Sequence, residues 1–221
     1  MAYNPFQMNN CQAIWNARYE RMRSHGKRHG GEPWLLEWLH LVPPGKSKRA
    51  LDVGCGSGFN VKLLLEGGFE VHALDFSEQA LALCRRDAPK AHGILADIRE
   101  GLPFVSDTFE LVVADLSLHY FTMAITASAI RDIADRLVTS GLFAGRFNSI
   151  NDVNYGAQDG IAVVEDDNLF LVDGIQKRFF TRSCFNTLIG QQWRVVSLAE
   201  KSSYRYGSQK IFWEIICTKR G

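Results

Sequence analysis

No stretch of these 221 residues stays apolar long enough to span a bilayer, which takes about 20 consecutive apolar positions. The opening residues, Met1-Ala2-Tyr3-Asn4-Pro5-Phe6, show no basic-then-apolar leader, so a cytoplasmic location without membrane attachment is expected. Cysteine is scattered and odd in number: Cys11, Cys55, Cys84, Cys184 and Cys217 form no C-x-x-C pair and no metal-ligand spacing. Reduced thiols and no bound metal follow as expectations. No repeat, linker or low-complexity stretch divides the chain, and at 46% hydrophobic residues one domain with a substantial core is expected. An excess of charge is also missing, since 25 Lys/Arg face 24 Asp/Glu. That balance argues against a general nucleic-acid binder.

The charge is uneven, however. Residues 1–50 hold Arg18, Arg21, Arg23, Lys27, Arg28, Lys46, Lys48 and Arg49 against Glu20, Glu32 and Glu37. Such a patch could meet RNA phosphates, and Trp15, Tyr19, Trp34 and Trp38 are interleaved with it. Trp34, Leu35, Trp38 and Leu39 fall at helical spacing, though, which marks a core-facing stripe before a stacking platform.

What the sequence does contain is a glycine loop. Ala50-Leu51-Asp52-Val53-Gly54-Cys55-Gly56-Ser57-Gly58-Phe59-Asn60 reads as a short apolar strand running into a turn with glycine at every second position. Helical spacing follows at Val61, Leu64 and Leu65, with a stop at Gly67-Gly68. Glycine lets a backbone approach a ligand where a Cβ would collide, and the N–H groups of a helix start face whatever is bound. The spacing is not the G-x-G-x-x-G of a dinucleotide loop. It is not a P-loop either, because Gly58 is followed by Phe59 and Asn60 instead of lysine. Cys55 has no histidine or base beside it in sequence and reads as a small residue between glycines, not as a nucleophile.

Further acids follow in register. Glu70–Asp75 reads as a second strand, with Ser77 capping the next helix and Glu78 in its first turn. A carboxylate at a second-strand tip can accept both hydroxyls of a ribose, which gives Asp75 that role. A third strand near 93–96 precedes Asp97-Ile98, and a fourth ends at Asp115. Together, D-x-G-x-G-x-G and these landmarks resemble the class I S-adenosylmethionine-dependent methyltransferases. The resemblance implies a Rossmann-like α/β fold: a mostly parallel seven-stranded sheet, helices on both faces, the last strand antiparallel. It implies S-adenosylmethionine as cofactor, its methionine part held by the glycine loop and its adenine amino group donating to Asp97 beside Ile98. Cofactor contacts are thus expected from Asp52, Gly54, Cys55, Gly56, Asn60, Asp75, Phe76, Asp97, Ile98, Asp115 and Leu116.

Trp15-Asn16-Ala17-Arg18-Tyr19 resembles the W-x-x-R-[WY] element of the thiopurine and tellurite-resistance branch. The resemblance implies a lid in which Trp15 and Arg18 meet the cofactor, Arg18 through its carboxylate, and Tyr19 faces the acceptor. An amphipathic helix with Trp15 and Tyr19 as i, i+4 core contacts remains equally open. At the fourth-strand exit, His119 and Tyr120 are the candidate catalytic residues, as a proton acceptor or as packing against the cofactor. Asn148, Asn151, Tyr155 and Arg178 are candidates for orienting a polar substrate, and Glu165–Asp167 reads as a solvated acidic face. The D/N-P-P-[YF] signature of many amino-group methylases is absent, Asp115-Leu116-Ser117-Leu118 standing in its place.

The expected organisation is one domain over 1–221. A helical lid occupies 1–45, with helices at about 9–24 and 31–41. A cofactor-binding core covers 50–147, including a helix near 125–138 and a fifth strand at 141–147. A substrate-side insertion over 149–178, too polar for core, is followed by a helix at about 181–190 and strands at 193–198 and 211–218. The expected activity is in-line methyl transfer to a small-molecule nitrogen, oxygen, sulfur or metalloid nucleophile, by a monomer or homodimer, with no nucleic-acid partner. An RNA methyltransferase using the basic N-terminal patch and a non-catalytic cofactor-binding protein stand as alternatives.

Overall fold

The structure, a computed structural model, describes residues 5–25, 31–44, 48–157, 161–162, 168–205 and 207–221. It begins with helix α1 (Pro5–Ser24). The segment expected as a helix over 31–41 is instead two 3-10 turns, Trp34–Glu37 and Leu39–Leu41. Between Pro33 and Pro43-Pro44 there is too little chain for a self-supporting α-helix. The tight turns still bury Trp34 and Leu35, so the apolar stripe is core as its spacing implied.

Five strands then run parallel with helices between them: β1 (Arg49–Val53), β2 (Glu70–Asp75), β3 (His92–Leu95), β4 (Phe109–Asp115) and β5 (Leu137–Asn148). The helices are α2 (Phe59–Glu66), α3 (Glu78–Asp87) and α4 (Met123–Arg136). Ser77 caps α3 by accepting from the Ala80 N–H at 3.2 Å, and Thr122 caps α4 in the same way. After β5 come β6 (Ile161–Ala162), β7 (Leu169–Val172) and β8 (Ile175–Arg178), a separate antiparallel sheet in the order β6-β7-β8. A short helix α5 (Cys184–Leu188) leads into the hairpin of β9 (Trp193–Arg205) and β10 (Ser208–Lys219).

The main sheet has the order β3-β2-β1-β4-β5-β10-β9, with β10 antiparallel to both neighbours. Alternation of side chains divides its core between the two faces. Leu51, Val53, Val112, Ala114, Phe143 and Phe147 pack under α4 and α5 against Ile130, Ile133, Phe185 and Leu188. Ala50, Val71, Ala73, Leu111 and Val113 pack on the other side against Val61 and Leu64 of α2, Leu81 of α3, and Trp34 and Leu35. A fully buried side chain such as Ile133 contributes about 1.5–3 kcal/mol.

The insertion is less polar in structure than in sequence. Asp152, Ala157, Leu169, Ile175 and Arg178 are buried, so the described part of 149–178 is packed structure. Glu165–Asp167 lie outside the described residues. Among the described residues, no helix is long and apolar enough to cross a membrane.

Candidate active site

Parallel strands end on one edge, and here the ends of β1, β2 and β4 open into a cavity of about 1130 Å³. That exceeds the few hundred to 1,000 Å³ typical of a single-ligand site. The glycine loop forms its floor. The Gly54 and Cys55 N–H groups both donate to the Leu74 carbonyl, at 2.8 and 3.0 Å, tying the loop to β2. Gly54 has φ of 71°, and a Cβ there would sit 2.4 Å from the Ser117 Cβ. Gly56 has φ of 54°, and its Cβ would come within 2.8 Å of the Tyr19 hydroxyl. Only glycine combines that left-handed backbone with that proximity.

Asp75 stands beside the loop. Its two oxygens accept from the Gly56 and Ser77 N–H groups, each at 2.9 Å, which fixes the carboxylate with lone pairs left for further donors. Burial pushes its pKa up to about 6, against the pull of the Ser77, Gly56 and Phe76 N–H groups. Phe76, Ile98, Leu116, Cys55 and Asn60 line the same half of the cavity. The Cys55 thiol is held well above its usual pKa by its hydrogen bond to Cys84 and by burial, which suits a wall residue and not a nucleophile. Asp97 also lines the cavity, but it already accepts from the Arg99 N–H at 3.0 Å and pairs with the Arg99 guanidinium.

Asp115 is likewise engaged. Arg146 grips it through two bonds of 2.8 and 2.7 Å, and Asn60 Nδ2 donates to it at 3.3 Å. The Arg146 guanidinium is buried between the rings of Trp34, at 4.5 Å, and Phe212, at 4.9 Å. Sequence reasoning did not single out Arg146, although a lone arginine within an apolar strand was a signal that it is paired.

Asp52 departs from expectation. It alternates with Leu51 and Val53, so its side chain faces the Ala50 side of the sheet, and it is not a cavity-lining residue. Among the described residues neither of its oxygens has a hydrogen-bond partner, and burial holds its pKa well above the usual range. Burial thus disfavours the charged form of this carboxyl.

α1 roofs this half. Gln12 Nε2 donates to the Phe76 carbonyl and the Ser77 hydroxyl to Asn16 Oδ1, both at 2.6 Å, anchoring the helix over the start of α3. Trp15, Arg18 and Tyr19 consequently line the cavity. Trp15 stacks on Tyr19, meets the edge of Tyr120 at 5.1 Å and carries the Arg18 guanidinium over its ring at 5.2 Å.

The other half belongs to the β4 exit and the insertion. His119 lines it almost fully buried, its Nδ1 without a partner among the described residues, and its ring lies 4.1 Å from that of Tyr120. Burial, then the charges of Lys210 and Lys177, hold the imidazole well below its ordinary pKa, against a weaker upward pull from Asp115. These influences favour the neutral imidazole over the charged one. Asn148 and Tyr155 also line this half, and between them sits Lys210, which sequence reasoning missed. Its ammonium donates to Asn148 Oδ1 at 2.9 Å and Asp152 Oδ2 at 2.8 Å and lies 4.6 Å from the Tyr155 ring. Two expected substrate residues lie elsewhere. Asn151 turns outward to Glu200 at 2.9 Å, because its turn after β5 rotates it off the cavity. Arg178 is buried at the end of β8, donating to the Phe121 carbonyl, and does not line the cavity.

Comparison with known proteins agrees with this geometry. Residues 50–141 match the model of a methyltransferase domain family. Over 79 residues the chain is 39% identical to a malonyl-[acyl-carrier protein] O-methyltransferase of Enterobacter lignolyticus, covering 36% of this chain and 31% of that protein. The matched region spans about a third to a half of the curated relatives. A S-adenosylmethionine-dependent methyltransferase structure from Methanosarcina mazei superposes with a TM-score of 0.73 at 17% identity, over 86% of this chain and 98% of that one. A Burkholderia thailandensis 1,6-didemethyltoxoflavin-N1-methyltransferase, solved with its acceptor and S-adenosylhomocysteine, superposes with a TM-score of 0.72 at 15% identity, over 100% and 92%. Residues 50–141 thus resemble a methyltransferase domain family, and the chain shares the fold of solved S-adenosylmethionine-dependent methyltransferases.

Proposed function

We propose that this protein binds S-adenosylmethionine along the carboxyl edge of its sheet and transfers the methyl group to a small-molecule nucleophile. The observation that carries the reading is Asp75: an acceptor-only carboxylate pinned by the Gly56 and Ser77 N–H groups, beside a glycine loop that has no phosphate-binding lysine. Its remaining lone pairs suit a vicinal diol. In this reading Gly54, Cys55, Gly56 and Asn60 hold the methionine part. Phe76 and Ile98 flank the adenine, whose amino group donates to the lone pairs that Arg99 leaves on Asp97. Leu116 and the paired Asp115 close the β4 side, and Trp15 and Arg18 cover the cofactor from α1.

When bound, S-adenosylmethionine supplies a methyl group already activated by its sulfonium, so the protein contributes placement and dryness. Holding nucleophile and methyl carbon in line can contribute about 7–11 kcal/mol. The neutral His119 takes a proton where the acceptor is a hydroxyl or an ammonium, and Tyr120, packed between His119 and Trp15, orients the acceptor. The site is a cavity roofed by a helix and walled by the β7–β8 hairpin, which supports a small acceptor over a polymer. Relatives named as O- and N1-methyltransferases leave both oxygen and nitrogen nucleophiles in range.

Calorimetry with S-adenosylmethionine, S-adenosylhomocysteine and NAD tests the reading. The first two should bind and NAD should not. Tighter binding of NAD than of S-adenosylhomocysteine would overturn it.

A further inference from the structure

Asp75, Asp97 and Asp115 belong to the cofactor half and Lys177 and Lys210 to the half walled by the insertion, while Arg18 of the roofing helix α1 is near enough to Lys177 to act on its charge. Lys210 is accounted for, since Asp152 neutralises it at 2.8 Å. Lys177 and Arg18 are not. Among the described residues neither has a carboxylate within ion-pair distance, and the contact of the Lys177 ammonium is the Tyr155 carbonyl at a long 3.4 Å. Asp173, at the exposed tip of the hairpin, lowers the local potential without reaching Lys177.

Two cations close enough to repel one another are costly without an anion between them. Burial pulls the Lys177 ammonium below its ordinary pKa; Asp173 opposes this, Arg18 adds a smaller downward push, and Asp152 a weaker upward one. Arg18 lies with its guanidinium over the Trp15 ring, which leaves the edge of its fork for two parallel hydrogen bonds. A second feature points to a ligand in the same place. His119 lines this half on a side chain 3% exposed, and its buried Nδ1 has no partner among the described residues. Trp15, Tyr19, Tyr120, Leu171 and Ile175 give the same cavity aromatic and aliphatic surface.

We infer that the acceptor is a ring-bearing carboxylic acid whose carboxylate is held between Lys177 of β8 and Arg18 of α1 while its ring lies against Trp15 and Tyr120. The assignment rests on the methyltransferase reading above. Lys177 sits on the insertion, on the strand that packs against the Leu118–Tyr120 turn, which favours the acceptor over the cofactor as the source of the carboxylate.

The test titrates benzoate and benzamide, equal in shape and different in charge, into protein saturated with S-adenosylhomocysteine, followed by NMR shifts. Benzoate should bind at least about tenfold more tightly than benzamide. Lys177→Met and Lys177→Gln should each lose at least about tenfold in benzoate affinity while S-adenosylhomocysteine affinity stays within about twofold, and Lys177→Arg should retain benzoate. Using two neutral variants keeps the test decisive if one fails to fold. Benzoate binding no better than benzamide would overturn the inference alone. So would variants that weaken S-adenosylhomocysteine instead, since Lys177 would then serve the cofactor's carboxylate. A wild-type protein that does not bind S-adenosylhomocysteine at all would remove the methyltransferase reading and this inference with it.

Discussion

Replacing Asp75 by asparagine keeps the side chain's size and removes its charge and one acceptor oxygen. The carboxylate accepts from Gly56 and Ser77, each at 2.9 Å, and asparagine can keep only one of these bonds. Charge-assisted hydrogen bonds to the ribose are worth about 1.5–3 kcal/mol, so the dissociation constant for S-adenosylhomocysteine should rise roughly ten- to 150-fold. Isothermal calorimetry at about pH 7.5 measures it, with circular dichroism to show that the sheet still folds. The carboxyl has a pKa of about 6 because burial disfavours its charge. A diol donates best to the ionised form, so wild-type affinity should weaken as pH falls through about 6, with protons released on binding near that pH. For stability the sign is opposite. The folded pKa lies above the unfolded value of about 3.9, so the contribution of Asp75 to folding is fully present below that value and is lost as pH rises through about 6. Asp75→Asn should abolish both dependences. An unchanged dissociation constant in the variant would refute the reasoning and show that another residue holds the ribose.

Gly54→Ala places a methyl group 2.4 Å from the Ser117 Cβ at a φ of 71°, so S-adenosylhomocysteine binding should fall by at least about tenfold, with a lowered melting temperature. Arg146→Met strands the Asp115 carboxylate in a buried site and should cost about 3–5 kcal/mol in chemical denaturation, whereas the double variant with Asp115→Leu should recover much of that loss. If α1 and the insertion close over bound ligand, adding S-adenosylhomocysteine should slow amide exchange in residues 9–24, 149–157 and 168–178 more than in β1 or β4, and equal exchange with and without ligand would count against closure.

The five parallel strands and α2, α3 and α4 were legible because apolar periodicity and capping residues such as Ser77 act locally. Strand tips place acids at one edge by chain geometry, so Asp75, Asp97 and Asp115 could be assigned to the cavity from order alone. Asp52 could not, since alternation within β1 turns it to the opposite face from Leu51 and Val53. Long-range pairing was hidden for the same reason that it matters. Arg146 meets Asp115 across 31 positions and Lys210 meets Asp152 across 58, and no local pattern encodes either contact. The hairpin strands run well past the expected 193–198 and 211–218, because Glu200-Lys201-Ser202-Ser203 is polar yet paired along an edge strand. Lys177 and Asp173 lay in a segment read as a polar substrate-side insertion, in which neither was singled out, and its fold into β7 and β8 brings both to the cavity.

The placement of the ribose tests the central claim most directly, through a crystal structure of the protein with S-adenosylhomocysteine. The account predicts both ribose hydroxyls within about 3 Å of the Asp75 carboxylate oxygens, with the methionine part over Gly54–Gly56. A ligand seated elsewhere, or one whose ribose is held by another residue while Asp75 bonds only Gly56 and Ser77, would contradict it.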